Sequence, residues 1–283
     1  MRMPTVAIAC VLVAGQAIAG QPTTVNARVA VRSAGADLER AFAAVVKDQI
    51  EPSWIGYAVP VFDSRRNDPR GDGWSERCRL EQTSGPSIDG AASSGSVRLE
   101  PASTVMVLFR VENREVQKIR TFSSDCRIDG GGLTFYWLEG VSSAQSVAHL
   151  KTFIADTVPR SESEAALAAI AFHRDSAASA VLLDLAKKSG SSRIRQRALF
   201  WIARRADPQA ASTIRDAIER DPDVGVKRQA VSALGQLPKD EGIPMLITLV
   251  RSSRDPAVRK QAMSALEQSK DPRALSFFEE ILR

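Results

Sequence analysis

Residues 160–283 repeat themselves at a period of 32. Ala166, Ala198, Ala230 and Ala262 fall in one column, and Ile170, Ile202, Leu234 and Leu266 in a second. Leu182, Ile214, Leu246 and Phe278 make a third, and Leu185, Ala217, Leu249 and Ile281 a fourth. A turn column holds Asp175, Asp207, Lys239 and Asp271. Within a unit the apolar spacing is helical: Ile194, Ala198, Trp201 and Ile202 lie at i, i+4, i+7 and i+8. Asp207-Pro208 stops one helix and restarts another, since Asp caps and Pro suits a first turn. Each unit is therefore a helix pair with one apolar stripe per helix. One pair cannot bury both stripes alone, so neighbours must stack. About four stacked pairs make an all-α solenoid.

The run Asp255-Pro256-Ala257-Val258-Arg259-Lys260-Gln261-Ala262-Met263-Ser264-Ala265-Leu266 resembles a HEAT repeat in its short, bilin-lyase-like form. Asp221-Pro222-Asp223-Val224 and the stretch from Val226 to Gly235 resemble it too. The first unit, from about Ser161, lacks the Asp-Pro opening, which suits a terminal repeat. The resemblance implies a HEAT-repeat solenoid that acts as a binding scaffold. It carries over no catalytic residue, not even the repeated His-Glu pairs by which one HEAT-like hydroxylase holds iron.

Residues 20–159 read differently. An amphipathic helix is expected over 37–50, with Leu38, Phe42, Val45 and Val46 on one side. Strands are expected at Trp54–Val61, Cys78–Glu81, Thr104–Val111, Glu115–Phe122 and Leu133–Leu138. Glu112-Asn113-Arg114 marks a hairpin, and Ser143–Ile154 a closing helix. Loops fill 63–77 and 85–95. This is an α+β domain with a small, mostly antiparallel sheet and flanking helices. The expected division is 1–19, 20–159 and 160–283. As a whole the chain resembles exported bacterial HEAT-repeat proteins.

The opening residues carry the export signal. Arg2, the apolar run Val6–Ala14 and Ala17-Ile18-Ala19 stand in the order of a secretory leader, with cleavage expected before Gly20. That run is too short to span a bilayer, and no later stretch is long enough. Cys10 lacks the leucine expected before a lipidated cysteine. Removal of the leader leaves Cys78 and Cys126, an even pair that reads as one disulfide in an oxidising periplasmic or secreted compartment. On chain-entropy grounds a loop of about 49 residues makes it worth roughly 4 kcal/mol.

Charge separates the two halves. The chain has 38 basic and 33 acidic side chains, and the excess positive charge sits in the repeats. Arg193, Arg195, Arg197, Arg204 and Arg205 fall in one helix with no acid among them. Arg195 recurs as Lys227 and Arg259, so it reads as a structural ladder that pairs with Asp in adjacent turns. Arg197, Arg204 and Arg205 are candidates for contact with a partner or an anionic surface. No aromatic stacking pattern accompanies them, so nucleic acid is not expected.

A second candidate surface follows from the helical wheel. Opposite the core columns of the second helices lie Asp184, Lys187, Asp216, Glu219, Thr248, Arg251, Glu280 and Arg283. In a solenoid such a face runs across all repeats and lines the concave side. Only two histidines occur, His149 and His173, both read as packing residues. The sequence lacks H-E-x-x-H, G-x-S-x-G and P-loop patterns, and no metal or cofactor is expected. Gly130-Gly131-Gly132 reads as a turn, Asp125 and Asp129 lack an EF-hand frame, and Arg70-Gly71-Asp72 reads as loop. The leading function is an exported, non-enzymatic scaffold for another protein. An envelope protein binding an anionic polymer, and an enzyme with its site in the first domain, stand as alternatives.

Overall fold

The computed structural model describes residues 21–62, 78, 80–81 and 103–282. The expected leader, the expected loops over 63–77 (with Arg70-Gly71-Asp72) and 85–95, and Arg283 lie outside the described residues.

Among the described residues the first half holds seven strands and two helices: β1 (Thr24–Val25), β2 (Arg28–Ser33), α1 (Leu38–Asp48), β3 (Ser53–Pro60), β4 (Thr104–Glu112), β5 (Glu115–Ser123), β6 (Ile128–Asp129), β7 (Thr134–Glu139) and α2 (Ser143–Lys151). The main sheet has the order β2-β7-β3-β4-β5, and β1 pairs with β6 alone. The sheet is mixed. β7 runs parallel to both β2 and β3, whereas β3–β4 and β4–β5 are antiparallel. Hairpin signals reveal only the antiparallel part. The β4–β5 turn has positive φ at both Asn113 (54°) and Arg114 (62°), as a two-residue primed turn requires.

Side-chain alternation sends the strands' two faces into two cores. Ile55, Tyr57, Val59, Val105, Val107, Phe109 and Leu138 pack under the helices. Trp54, Met106, Leu108, Phe135 and Trp137 pack on the far face against Leu80 and Ile128. Gly56 sits where the sheet is tightest: a Cβ there would lie 2.5 Å from Leu108 Cδ2. On that far face Cys78 and Cys126 form a disulfide with Cα atoms 6.0 Å apart. Backbone bonds from Leu80 N to Asp129 O (2.9 Å) and Asp129 N to Cys78 O (2.9 Å) stitch the same corner.

Among the described residues eight helices follow in pairs. The first helices are α3 (Arg160–Phe172), α5 (Ser192–Arg204), α7 (Val224–Leu234) and α9 (Pro256–Ser269). The second helices are α4 (Ser176–Lys188), α6 (Ala210–Arg220), α8 (Lys239–Ser252) and α10 (Pro272–Ile281). The first helices begin 32 residues apart, the period of the sequence. Asp175, Asp255 and Asp271 cap the helices they precede, and Asp207 accepts from Gln209 N. Every residue of the Ala166 and Ile170 columns is buried.

The two halves share one continuous core. The end of β3 is sewn to the end of α3: Val61 bridges His173, Phe62 N donates to Phe172 O at 2.7 Å, and Arg174 N donates to Pro60 O at 3.0 Å.

Candidate functional site

The second helices bury Leu182, Ala186, Ile214, Ala217, Ile218 and Leu246, so the opposite face is turned outward; against expectation the column opens at its end, where Ile281 is exposed. Lys187, Asp216, Glu219, Thr248 and Arg251 are exposed, and Asp184 is half-exposed. Two neighbouring grooves open on this face. The first, of about 390 Å³, lies between α4 and α6 and is lined by Lys187, Asp216, Ala217 and Arg220. The second, of about 350 Å³, lies between α6 and α8, with a floor of Ile218, Pro244, Met245 and Leu249 and a rim of Glu219 and Thr248. The apolar floor is not expected from the wheel, which counts Ile218 and Leu249 as core. They sit at the core's edge because neighbouring helices part there.

The charges on this face pair loosely. Asp184 meets Lys188 at 2.7 Å, Asp216 meets Arg220 at 3.5 Å, and Arg251 meets Glu280 at 2.7 Å, all at exposed positions. Such exposed pairs contribute little, so a ligand can replace them cheaply.

The arginine-rich helix is different. Arg193 pairs with Asp156 at 3.6 Å and Arg197 with Glu164. Arg195 holds Asp221 with two bonds, at 2.7 and 2.9 Å, and donates to Ser189 O at the end of α4. Arg259 repeats the last contact at Ser253 O, the end of α8. The ladder thus places cations on helix C-termini, where the dipole favours them.

Arg205 corrects the expectation of a surface residue. It is 3 % exposed. Its guanidinium donates to Ala171 O and to His173 O (2.9 Å), the orphan carbonyls at the end of α3, and lies 4.1 Å from the Phe62 ring. The signal was available in the repeat register. Thirty-two residues either side stand His173 and Leu237, both buried, so the column is interior. Arg204 is half-buried, and its Nε is enclosed without a partner.

A buried polar chain also joins the halves. Tyr57 Oη lies 2.8 Å from Ser146 Oγ, which lies 2.7 Å from His173 Nε2, while His173 Nδ1 lies 2.7 Å from Ala169 O. A carbonyl can only accept, so Nδ1 carries the proton, and Ser146 donates to the bare Nε2. Tyr57 then donates to Ser146. Burial pushes the Tyr57 hydroxyl well above its usual range. The Ser–His pair has no opening to solvent: Ser146 and His173 are both fully buried. It is a structural link. His149 is buried among Phe42, Phe109 and Phe153, and neither ring nitrogen has a partner. Among the described residues no cluster of three metal-ligating side chains occurs.

The geometry defines a class: stacked helix pairs, closed at one end by an α+β unit and bearing a grooved outer face on the second helices. The family model for HEAT repeats matches residues 179–250 and, overlapping, 213–283. The helical half is a HEAT-repeat solenoid. Among curated proteins nothing matches the chain. No helix among the described residues is long and apolar enough to cross a membrane.

Proposed function

We propose that the protein is an exported, non-enzymatic scaffold that binds another protein through the second-helix face. The carrying observation is the pair of adjacent grooves, polar between α4 and α6 and apolar-floored between α6 and α8. Adjacent grooves on successive repeats fit an extended or helical segment better than a small metabolite. HEAT repeats commonly mediate protein–protein contact, which supports the same reading. The anionic-polymer alternative loses support, because Arg193, Arg195, Arg197 and Arg205 are all engaged within the chain.

Lys187→Ala, Glu219→Ala and Arg251→Ala together should leave thermal unfolding nearly unchanged, since exposed substitutions shift stability by less than about 0.5 kcal/mol each. Crosslinked capture of the partner from envelope extract should fall. A triple variant that folds and captures at full strength would move the site off this face.

Export is part of the proposal. It is supported by the order Arg2, Val6–Ala14, Ala17-Ile18-Ala19 and by a disulfide that needs an oxidising compartment. N-terminal sequencing of the native protein should begin near Gly20, and non-reducing peptide mapping should recover the Cys78–Cys126 pair. Intact Met1 with Cys78 and Cys126 both alkylatable would refute it.

A further inference from the structure

The two ends of the solenoid are unlike. At the first end, α3 is covered by the α+β unit and β3 is bonded to it. At the other end the apolar columns continue, and among the described residues no element covers them. Leu167, Leu199 and Val231 are fully buried, but the next member, Met263, is 40 % exposed. Ile243 is 3 % exposed, whereas Leu275, one period later, is 63 % exposed. The direction of this face is fixed by contacts. Ser232 Oγ on α7 receives the Gln261 side chain of α9 at 2.9 Å, and Glu164 on α3 receives Arg197 of α5. The same positions on α9 are Ser264 and Lys260, which therefore point away from α7. The outer strip of α9 thus reads Lys260, Met263, Ser264, Glu267.

We propose that this strip, with Leu275 of α10 beside it, is a docking surface for a second copy of the chain, two molecules meeting end to end. Two observations choose that occupant. The strip continues the interface that already buries each repeat against the next, so its fitting partner is another repeat face. Among the described residues the repeat end left open in a second copy is this same one, because α3 is packed against the α+β unit. The meeting is therefore isologous and closes at a dimer.

The charge pattern fits that symmetry. A two-fold axis across α9 reverses the helix and exchanges positions about a midpoint between Met263 and Ser264. Lys260 of one copy then faces Glu267 of the other, twice over, with Met263 between them. Among the described residues neither Lys260 nor Glu267 has an ion pair within its own chain.

The test is sedimentation equilibrium on the full disulfide-bonded chain, from low micromolar up to about 100 µM. A concentration-dependent dimer is expected. Lys260→Glu alone and Glu267→Lys alone should each weaken association about tenfold, because each sets like charges opposite twice. The double exchange, Lys260→Glu with Glu267→Lys, should restore it. Met263→Glu should give a monomer that unfolds at the same temperature as the parent at a concentration where both are monomeric. Val29→Glu, on the exposed β2 edge, should leave the dimer intact. A protein that stays monomeric, or a dimer dispersed by Val29→Glu but not by Met263→Glu, would overturn the proposal. So would single reversals that the double exchange fails to rescue.

Discussion

Lowering the pH from 7.5 to 4.5 should remove about 5 kcal/mol of stability, read as a fall in the urea midpoint. Two histidines carry this. Burial pushes His149 to about 4, with no partner to oppose it. Burial pushes His173 to about 4 as well; the Ala169 carbonyl and Asp175 act against the shift, and the Arg205 cation adds to it. In the unfolded chain both titrate near 6.5. Below that pH the unfolded chain takes up protons that the fold refuses. Stability is then intact above about 6.5 and drains away toward 4, each histidine costing up to about 3 kcal/mol. The carboxylates that arginines hold low lose their contribution only as pH falls below about 5. Arg197's hydrogen bonds hold Glu164 below its usual range. Burial opposes the charge on Asp221, but the Arg195 hydrogen bonds, the Asp223 backbone N–H and the nearby Arg195 and Lys227 cations together outweigh it and hold the group low. His149→Phe should halve the pH dependence. It should also leave neutral-pH stability unchanged or higher, since the ring meets only aromatic neighbours and leaves two nitrogens unbonded. A midpoint that does not move between pH 7.5 and 4.5 would contradict this account.

Leu234→Ala should cost about 3–5 kcal/mol, the upper range for a fully buried leucine. The site has little freedom to collapse. It lies in a central repeat, and Gly242 of α8 approaches so closely that a Cβ there would lie 2.2 Å from Leu234 O. The cavity would therefore persist rather than close. Since each repeat is buried by its neighbours, the loss should spread beyond α7. Hydrogen exchange should show α7, α8 and α9 opening together, while the sheet keeps its protection. A loss below about 1 kcal/mol would mean that the repeat relaxes around the gap.

The solenoid was legible because one residue type recurs at one place in every unit. Ala166, Ala198, Ala230 and Ala262 needed no tertiary information to be aligned. The central strands were legible from composition, and Asn113-Arg114 from turn chemistry. Other features were not. Arg28-Val-Ala-Val-Arg-Ser alternates as a strand should, but it forms an exposed edge with little apolar mass to announce it. The parallel place of β7 between β2 and β3 depends on packing between distant segments, such as Trp137 beside Gly56. Arg205 departs from its helical neighbours because its repeat column, with His173 and Leu237, is interior. The apolar floor formed by Ile218, Pro244, Met245 and Leu249 comes from the gap between helices, which a single-helix wheel cannot contain.

The bonding of β3 to the end of α3 also bears on how such a chain can change in length. Duplication or loss of a helix pair beyond α5 alters only contacts between like units, and the rest of the array accepts it. The first pair has no such freedom. Pro60, Phe62, Phe172 and Arg174 hold it by backbone bonds, Arg205 closes over its carbonyls, and Tyr57 reaches it through Ser146. Unit one therefore belongs to the sheet's inheritance as much as to the repeats'. Growth is confined to the far end, and the α+β unit fixes the origin from which the repeats are counted.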